Sequence, residues 1–257
     1  MKNLLTILSA VLFLWSCGGN TNSNSTFEAV ETEVPAESAP ETAEVVIETK
    51  EAVCILNNLP LRATPADKGK WLTGINLGEV VTFMGEEKAD SVSKKMYYKV
   101  QLTGGKEGWS RADFIEIGGK VGVFTQDTEV YKRPDLLTKA NKKYSQMDII
   151  AVISTQGDWS EVKGKRGEGK YIESGWVKGA NISDKAIDIA TAKFGVEALS
   201  KEGPEQQIEA LKEVISNADL ANSVFIPILQ EKLNESIADD EAIVEEIVDS
   251  MNDSTGL

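Results

Sequence analysis

Apolar and polar positions change rhythm along this chain, and the changes divide it. Leu4 to Leu14 is a nearly unbroken apolar run without charge. It is too short to span a bilayer, which takes roughly 20 apolar residues, and has the length of a secretory leader. From Gly18 to Glu51 no periodicity survives; the segment is first small and polar, then rich in Glu, Ala, Thr, Val and Pro. Such a composition buries too little apolar surface to offset the entropy of ordering, so it reads as a disordered tether. From Ala52 short alternating runs appear between Gly-rich turns. Val53–Ile55, Leu59–Leu61, Glu79–Met84 and Tyr97–Leu102 have strand character, and Thr103–Lys106 turns the chain into Gly108–Ser110. Strands of this kind predict a small antiparallel barrel or sandwich. After Ile182 the apolar spacing shifts to three and four. Ser183–Asp184 can cap one helix, and Pro204 starts a second, whose Ile208, Leu211, Val214 and Ile215 share a face. Pro227 kinks or breaks the next stretch, Leu220 to Leu233, and Ile243, Val244, Ile247, Val248 and Met251 mark a last helix. These three or four short helices bury a small core of their own or pack on the preceding β region.

The β region repeats itself. Leu61–Pro65 is echoed by Val130–Pro134, Gly78–Phe83 by Met147–Val152, Tyr98–Val100 by Trp159–Val162, and Gly108–Arg111 by Gly175–Lys178. The offset is 67 to 69 residues for three of these pairs and about 62 for the Tyr98 pair, a slip taken up by the longer turn Gly164–Gly169. Two related units follow. The expected organisation is a leader at 1–16, an acidic tether at 17–51, β domains at 52–118 and 119–182 (the second divergent), and an acidic helical segment at 183–257. The fold class is mainly β with an α-helical C-terminal region.

Charge sharpens these boundaries. The net charge is −14. Phe27–Glu51 has eight acids and one base, Ala52–Ile182 has 20 bases and 16 acids, and the remainder has 17 acids and five bases. A mildly basic middle thus sits between acidic flanks, with no basic patch that points to nucleic acid. The chain has no His. Ser-His-Asp and Cys-His catalysis need an imidazole, and zinc hydrolases generally use His ligands. No pattern of paired acids marks a glycosidase. The chain is therefore expected not to be an enzyme, and no cofactor or metal is expected.

The leader ends in Leu14-Trp15-Ser16-Cys17, followed by Gly18-Gly19. This resembles the lipobox of bacterial lipoproteins, although Trp15 is bulkier than the usual occupant of its position. The resemblance implies a diacylglyceryl group on Cys17, cleavage before it, and acylation of the freed amine. Several acyl chains hold firmly, at about 0.8 kcal/mol per buried methylene. Gly18 is not the Asp that signals inner-membrane retention in enteric relatives, so the outer membrane is favoured. With Cys17 committed to lipid, Cys54 is alone and no internal disulfide can form. Its apolar run, Ala52–Leu56, reads as a buried strand.

The repeated units resemble bacterial SH3-like (SH3b) domains, which show a Leu-Arg-x-x-Pro opening, a Gly turn into a strand, a Trp-x-x-Val strand and a Gly-Trp-Val ending. The first unit carries Leu61-Arg62-Ala63-Thr64-Pro65 and Gly108-Trp109-Ser110, with Tyr98 where the first Trp is common. The second carries Trp159 and Gly175-Trp176-Val177, has Tyr131-Lys132 for Leu-Arg, and has Asp148 in place of the Gly. The resemblance implies two small SH3-like barrels that bind peptidoglycan peptides or an envelope protein. Aromatic rings offer rigid contact area, and Arg or Lys can meet stem-peptide carboxylates. On that basis the ligand-facing candidates are Trp71, Tyr97, Tyr98, Arg111, Tyr131, Tyr171 and Lys178, with Trp71 the best placed for a groove. Trp109, Trp159 and Trp176 are assigned to packing, and Tyr98 presents one face inward. Arg62 is read as a fold-stabilising charge. The expectation is a lipid-anchored envelope protein, periplasmic or surface-facing, acting as a binding module. In the alternative, the barrels are spacers and the acidic helical segment docks a partner.

Overall fold

Strand β1 (Lys50–Cys54) opens the fold and explains why Ala52–Leu56 does not alternate. Ala52 and Cys54 point into one core, Val53 and Ile55 into another, so both faces of the strand are apolar. The computed structural model describes residues 49–167, 169–179, 181–238 and 240. The leader, Cys17, nearly all of the tether and the last expected helix lie outside the described residues. The Cys54 thiol is fully buried and donates to the Leu56 carbonyl at 3.1 Å; burial pushes its pKa up to about 11.

Six further strands complete the first β domain: β2 (Leu59–Arg62), β3 (Trp71–Ile75), β4 (Val80–Ala89), β5 (Met96–Leu102), β6 (Glu107–Arg111) and β7 (Ile115–Ile117). They form one antiparallel sheet in the order β3-β2-β6-β5-β4-β1-β7. The sheet encloses Leu59, Leu61, Ile75, Val81 and Val100. After only Gly118 and Gly119 the second domain begins. Its strands are β8 (Lys120–Phe124), β9 (Thr128–Tyr131), β10 (Lys139–Tyr144), β11 (Ile149–Gln156), β12 (Trp159–Lys165), β13 (Ile172–Lys178) and β14 (Ile182–Ser183). Their order, β10-β9-β13-β12-β11-β8-β14, reproduces the first sheet position by position. The fold is two SH3-like β domains followed by helices.

Packing accounts for the shared Gly-Trp pairs. A Cβ on Gly108 would lie 2.7 Å from Leu61 Cγ and 2.8 Å from the Arg62 carbonyl oxygen, and one on Gly175 would lie 2.5 Å from a Val130 methyl. Only Gly lets β2 and β9 approach this closely. The turn into the fourth strand departs from the sequence reading. Gly78 adopts φ 76°, and its counterpart is Met147 at φ 69°, not Asp148. Met147 is buried among the helices, and that packing offsets the left-handed backbone. Asp148 ties the turn instead, its Oδ2 accepting from the amides of Ser145 (2.8 Å) and Gly167 (3.0 Å).

Helices α1 (Ala186–Leu199), α2 (Pro204–Ser216) and α3, starting at residue 226, pack on the second domain rather than on themselves alone. Ala192, Leu211, Phe225 and Leu229 share one core with Val123, Met147 and Ile149 of domain 2. The cap of α1 is not Asp184; Lys185 occupies the cap position without a side-chain bond. Buried Asp188 organises this end, accepting from Ser183 Oγ (2.6 Å), Ser223 Oγ (2.9 Å) and the Val224 amide (3.0 Å). Burial alone would raise its pKa, but these bonds outweigh burial and hold it below the usual carboxylate range. Pro227 stands in the first turn of α3, where its missing N–H costs nothing. Domain 1 seats directly on this assembly. Val53 and Ile55 meet Ala151, and Lys163 pairs with Glu116 at 2.9 Å. Among the described residues no helix is long and apolar enough to cross a membrane.

Candidate ligand-binding site

Strand parity decides which aromatics can meet a ligand. In domain 2, Val130, Val162 and Val177 are buried, so Tyr131, Glu161, Trp159, Trp176 and Lys178 belong to the opposite, outer face. The register joins them: Tyr131 lies opposite Trp176, Trp176 opposite Glu161, and Trp159 opposite Lys178. Tyr131 and Trp159 meet edge to face with centroids 4.9 Å apart, and the Lys178 ammonium stands 5.8 Å over the Trp159 ring. All three rings are half-buried and Lys178 is exposed. The β11–β12 turn is only Gly157-Asp158, with Gly157 at φ 58°, so it leaves the face uncovered.

Domain 1 treats the same face differently. Tyr97, not Tyr98, is the counterpart of Trp159: each stands three residues before the buried Val of its strand, and Tyr97 pairs with Arg111 as Trp159 pairs with Lys178. Yet Tyr97 is 1% exposed. The longer β4–β5 hairpin and the β2–β3 loop close over it. Its hydroxyl donates to Asp67 Oδ1 at 2.7 Å, Lys95 Nζ reaches Asp67 Oδ2 at 2.7 Å, and the Asp67 amide reaches Asp90 at 3.5 Å. The bonds from Lys95 and Tyr97 hold the Asp67 carboxyl down at about 2. Burial, then the bond to Asp67, push the Tyr97 hydroxyl up to about 12. Trp109 is buried beneath Lys88, whose ammonium lies 5.0 Å from the ring.

The remaining candidates scatter. Tyr98 is on the inner parity, edge to face with Phe83 at 5.1 Å. The Arg111 guanidinium pairs with Asp113 and lies 4.7 Å over Phe114, with its Nε buried and unbonded among the described residues. Trp71 is 59% exposed at the start of edge strand β3, paired in register with Arg62. Arg62 donates to the Gly69 carbonyl at 2.8 Å, a structural role. Tyr171 is exposed but precedes β13, whose far end holds Lys178; seven residues of strand, roughly 23 Å, separate them. The structure therefore brings together Tyr131 and Lys178, buries Tyr97, turns the half-buried Tyr98 to the inner parity, and sets Trp159 and Trp176, which the sequence reading assigned to packing, half-buried on the outer face. Counting back from Val100 and Val162 carries the signal for that pairing. Among the described residues no cluster of three metal-ligating side chains occurs.

Comparison with known proteins bears first on domain 1. The family model for the bacterial SH3 domain matches residues 57–116. No curated protein matches the chain. Two solved structures, NlpC2 and NlpC1 from Trichomonas vaginalis, align with 65% of this chain at 10% identity and a TM-score of 0.22 each. The alignments span 56% and 63% of those proteins, so the chain covers less than two thirds of either.

Proposed function

We propose that this chain is a lipid-anchored envelope protein that works as a non-catalytic binding module, taking cell-wall peptide on the outer face of domain 2. The observation that carries the reading is the uncovered cluster of Tyr131, Trp159 and Trp176 beside Lys178. Flat rings suit the backbone and small side chains of a stem peptide, and the ammonium suits its carboxylate. The bacterial SH3 match in domain 1 supports a wall-binding context. Domain 1, its own face closed by Asp67 and Lys95, serves to position domain 2. The leader and Cys17 support export and acylation, with the outer membrane favoured. The purified chain should co-sediment with peptidoglycan sacculi, and Trp159→Ala should reduce retention about tenfold or more. Retention equal to that of an unrelated acidic protein removes the wall ligand. Cys17→Ser should abolish palmitate incorporation.

One observation favours a second reading, in which the helical segment docks a partner protein. A groove of about 330 Å³ runs between α1 and α2, with Phe194 exposed on its rim. Deleting residues 183–257 tests this, although it also strips the apolar cover from domain 2; Phe194→Asp is the cleaner probe, and loss of co-purifying protein is the expected result.

A further inference from the structure

Leu136 and Leu137 stand at the tip of the β9–β10 loop, 57% and 94% exposed. The tip is one turn of 3-10 helix, and its backbone is pinned. The Asp135 carboxylate accepts from the Leu137 amide at 2.9 Å. The Thr138 amide donates to the Asp135 carbonyl at 3.0 Å, and Lys132 donates to the Thr138 carbonyl at 3.0 Å. Thr138 Oγ1 lies 3.0 Å from the Arg133 carbonyl oxygen and 2.8 Å from that of Asp135. The leucines are held outward by a built turn rather than left on a loose one.

Domain 1 supplies an internal control. Its loop at the same topological place, 63–70, reads Ala-Thr-Pro-Ala-Asp-Lys-Gly-Lys and has no large apolar side chain. The fold thus does not require the leucines. At the base of the tip, Lys132 and Arg133 are exposed and make no ion pair among the described residues. We infer that this loop docks domain 2 onto a bilayer bearing anionic headgroups, with the leucines at the acyl boundary and Lys132 and Arg133 at the phosphates. The net charge of −14 does not forbid this, because charges beyond about 8 Å are screened at physiological salt. The inference rests on the anchored reading above only for bringing the chain near a bilayer.

The test uses the full chain with Cys17→Ser, which removes acylation and makes the outcome independent of the anchor. Cys54 is buried, so a nitrobenzoxadiazole probe on Leu137→Cys reports the loop. Adding vesicles of phosphatidylethanolamine with phosphatidylglycerol should shift its emission to the blue. The same probe on Lys68→Cys, in the domain 1 loop, should not respond, which controls for the leader. Phosphatidylcholine vesicles, or Lys132→Glu with Arg133→Glu, should weaken the response roughly tenfold. A probe at 137 that keeps its aqueous emission with anionic vesicles overturns the proposal. So does a shift produced by lipid-free envelope protein and not by vesicles, which would assign the loop to a protein partner. Trp159→Ala should leave this signal unchanged, so failure of the wall reading and failure of the lipid contact are told apart.

Discussion

Domains 1 and 2 have the same strand order but opposite outer faces. In domain 1 a ten-residue β4 carries a long hairpin over the sheet, and Asp67 clamps the neighbouring loop through Tyr97 and Lys95. In domain 2 the equivalent hairpin closes after two residues, and the rings stay half exposed. The domain with the clearer family signature thus carries the covered face. Family signature follows the residues that build the barrel, such as Leu61 and Gly108, whereas access to the face is set by the loops.

The largest expected effects come from a buried close approach and a buried carboxylate. Gly108→Ala should cost about 3 kcal/mol, because the added Cβ meets the Arg62 carbonyl, which cannot give way. Gly175→Ala should cost about 1–2 kcal/mol, since it meets a Val130 methyl that can rotate. Chemical denaturation measures both, and equal costs would mean that the two approaches are not as different as drawn. Asp188→Ala leaves the Ser223 hydroxyl and the Val224 amide without their acceptor and should cost about 2–3 kcal/mol, read in the same way.

Tyr97→Phe sharpens the contrast at smaller cost. It removes only the hydroxyl bond to Asp67 and should lower stability by about 1 kcal/mol without changing sacculus retention. The smallest effect is on pH. Asp67 has a folded-state pKa depressed from 3.8 to about 2, so its stabilising contribution is complete above 3.8 and is lost as pH falls toward 2. Asp67→Asn should therefore flatten part of the acid limb of an unfolding curve. The depressed Asp188 keeps the remainder, with the same sign. An acid limb unchanged by Asp67→Asn would show the clamp to be open in solution.

Much of this architecture is legible in the residues. The Gly-Trp pairs, the two units and the switch to helical spacing after Ile182 are all there to be read. The surface is less legible. Tyr98 looked like the aromatic of the Trp-x-x-Val strand because it sits beside Lys99 and Val100, but parity belongs to the buried Val and points to Tyr97. Tyr97 then proved covered, because a carboxylate 30 residues upstream reaches it across the sheet, a contact that no local pattern encodes. The sequence reading assigns Trp159 and Trp176 to packing because alternation marks one inward face but not how far the outer one is covered; both are half-buried. Asp184 looked like a cap, yet Asp188 took the organising role through Ser223 and Val224, which lie on a distant segment.

The proposed function puts the ligand on domain 2 and not on domain 1. Sacculus retention of the full chain, compared between Trp159→Ala and Trp71→Ala, tests it most directly. Loss with Trp159→Ala and near wild-type retention with Trp71→Ala is the predicted result. Loss with Trp71→Ala while Trp159→Ala binds normally would place the ligand on domain 1 and contradict the account.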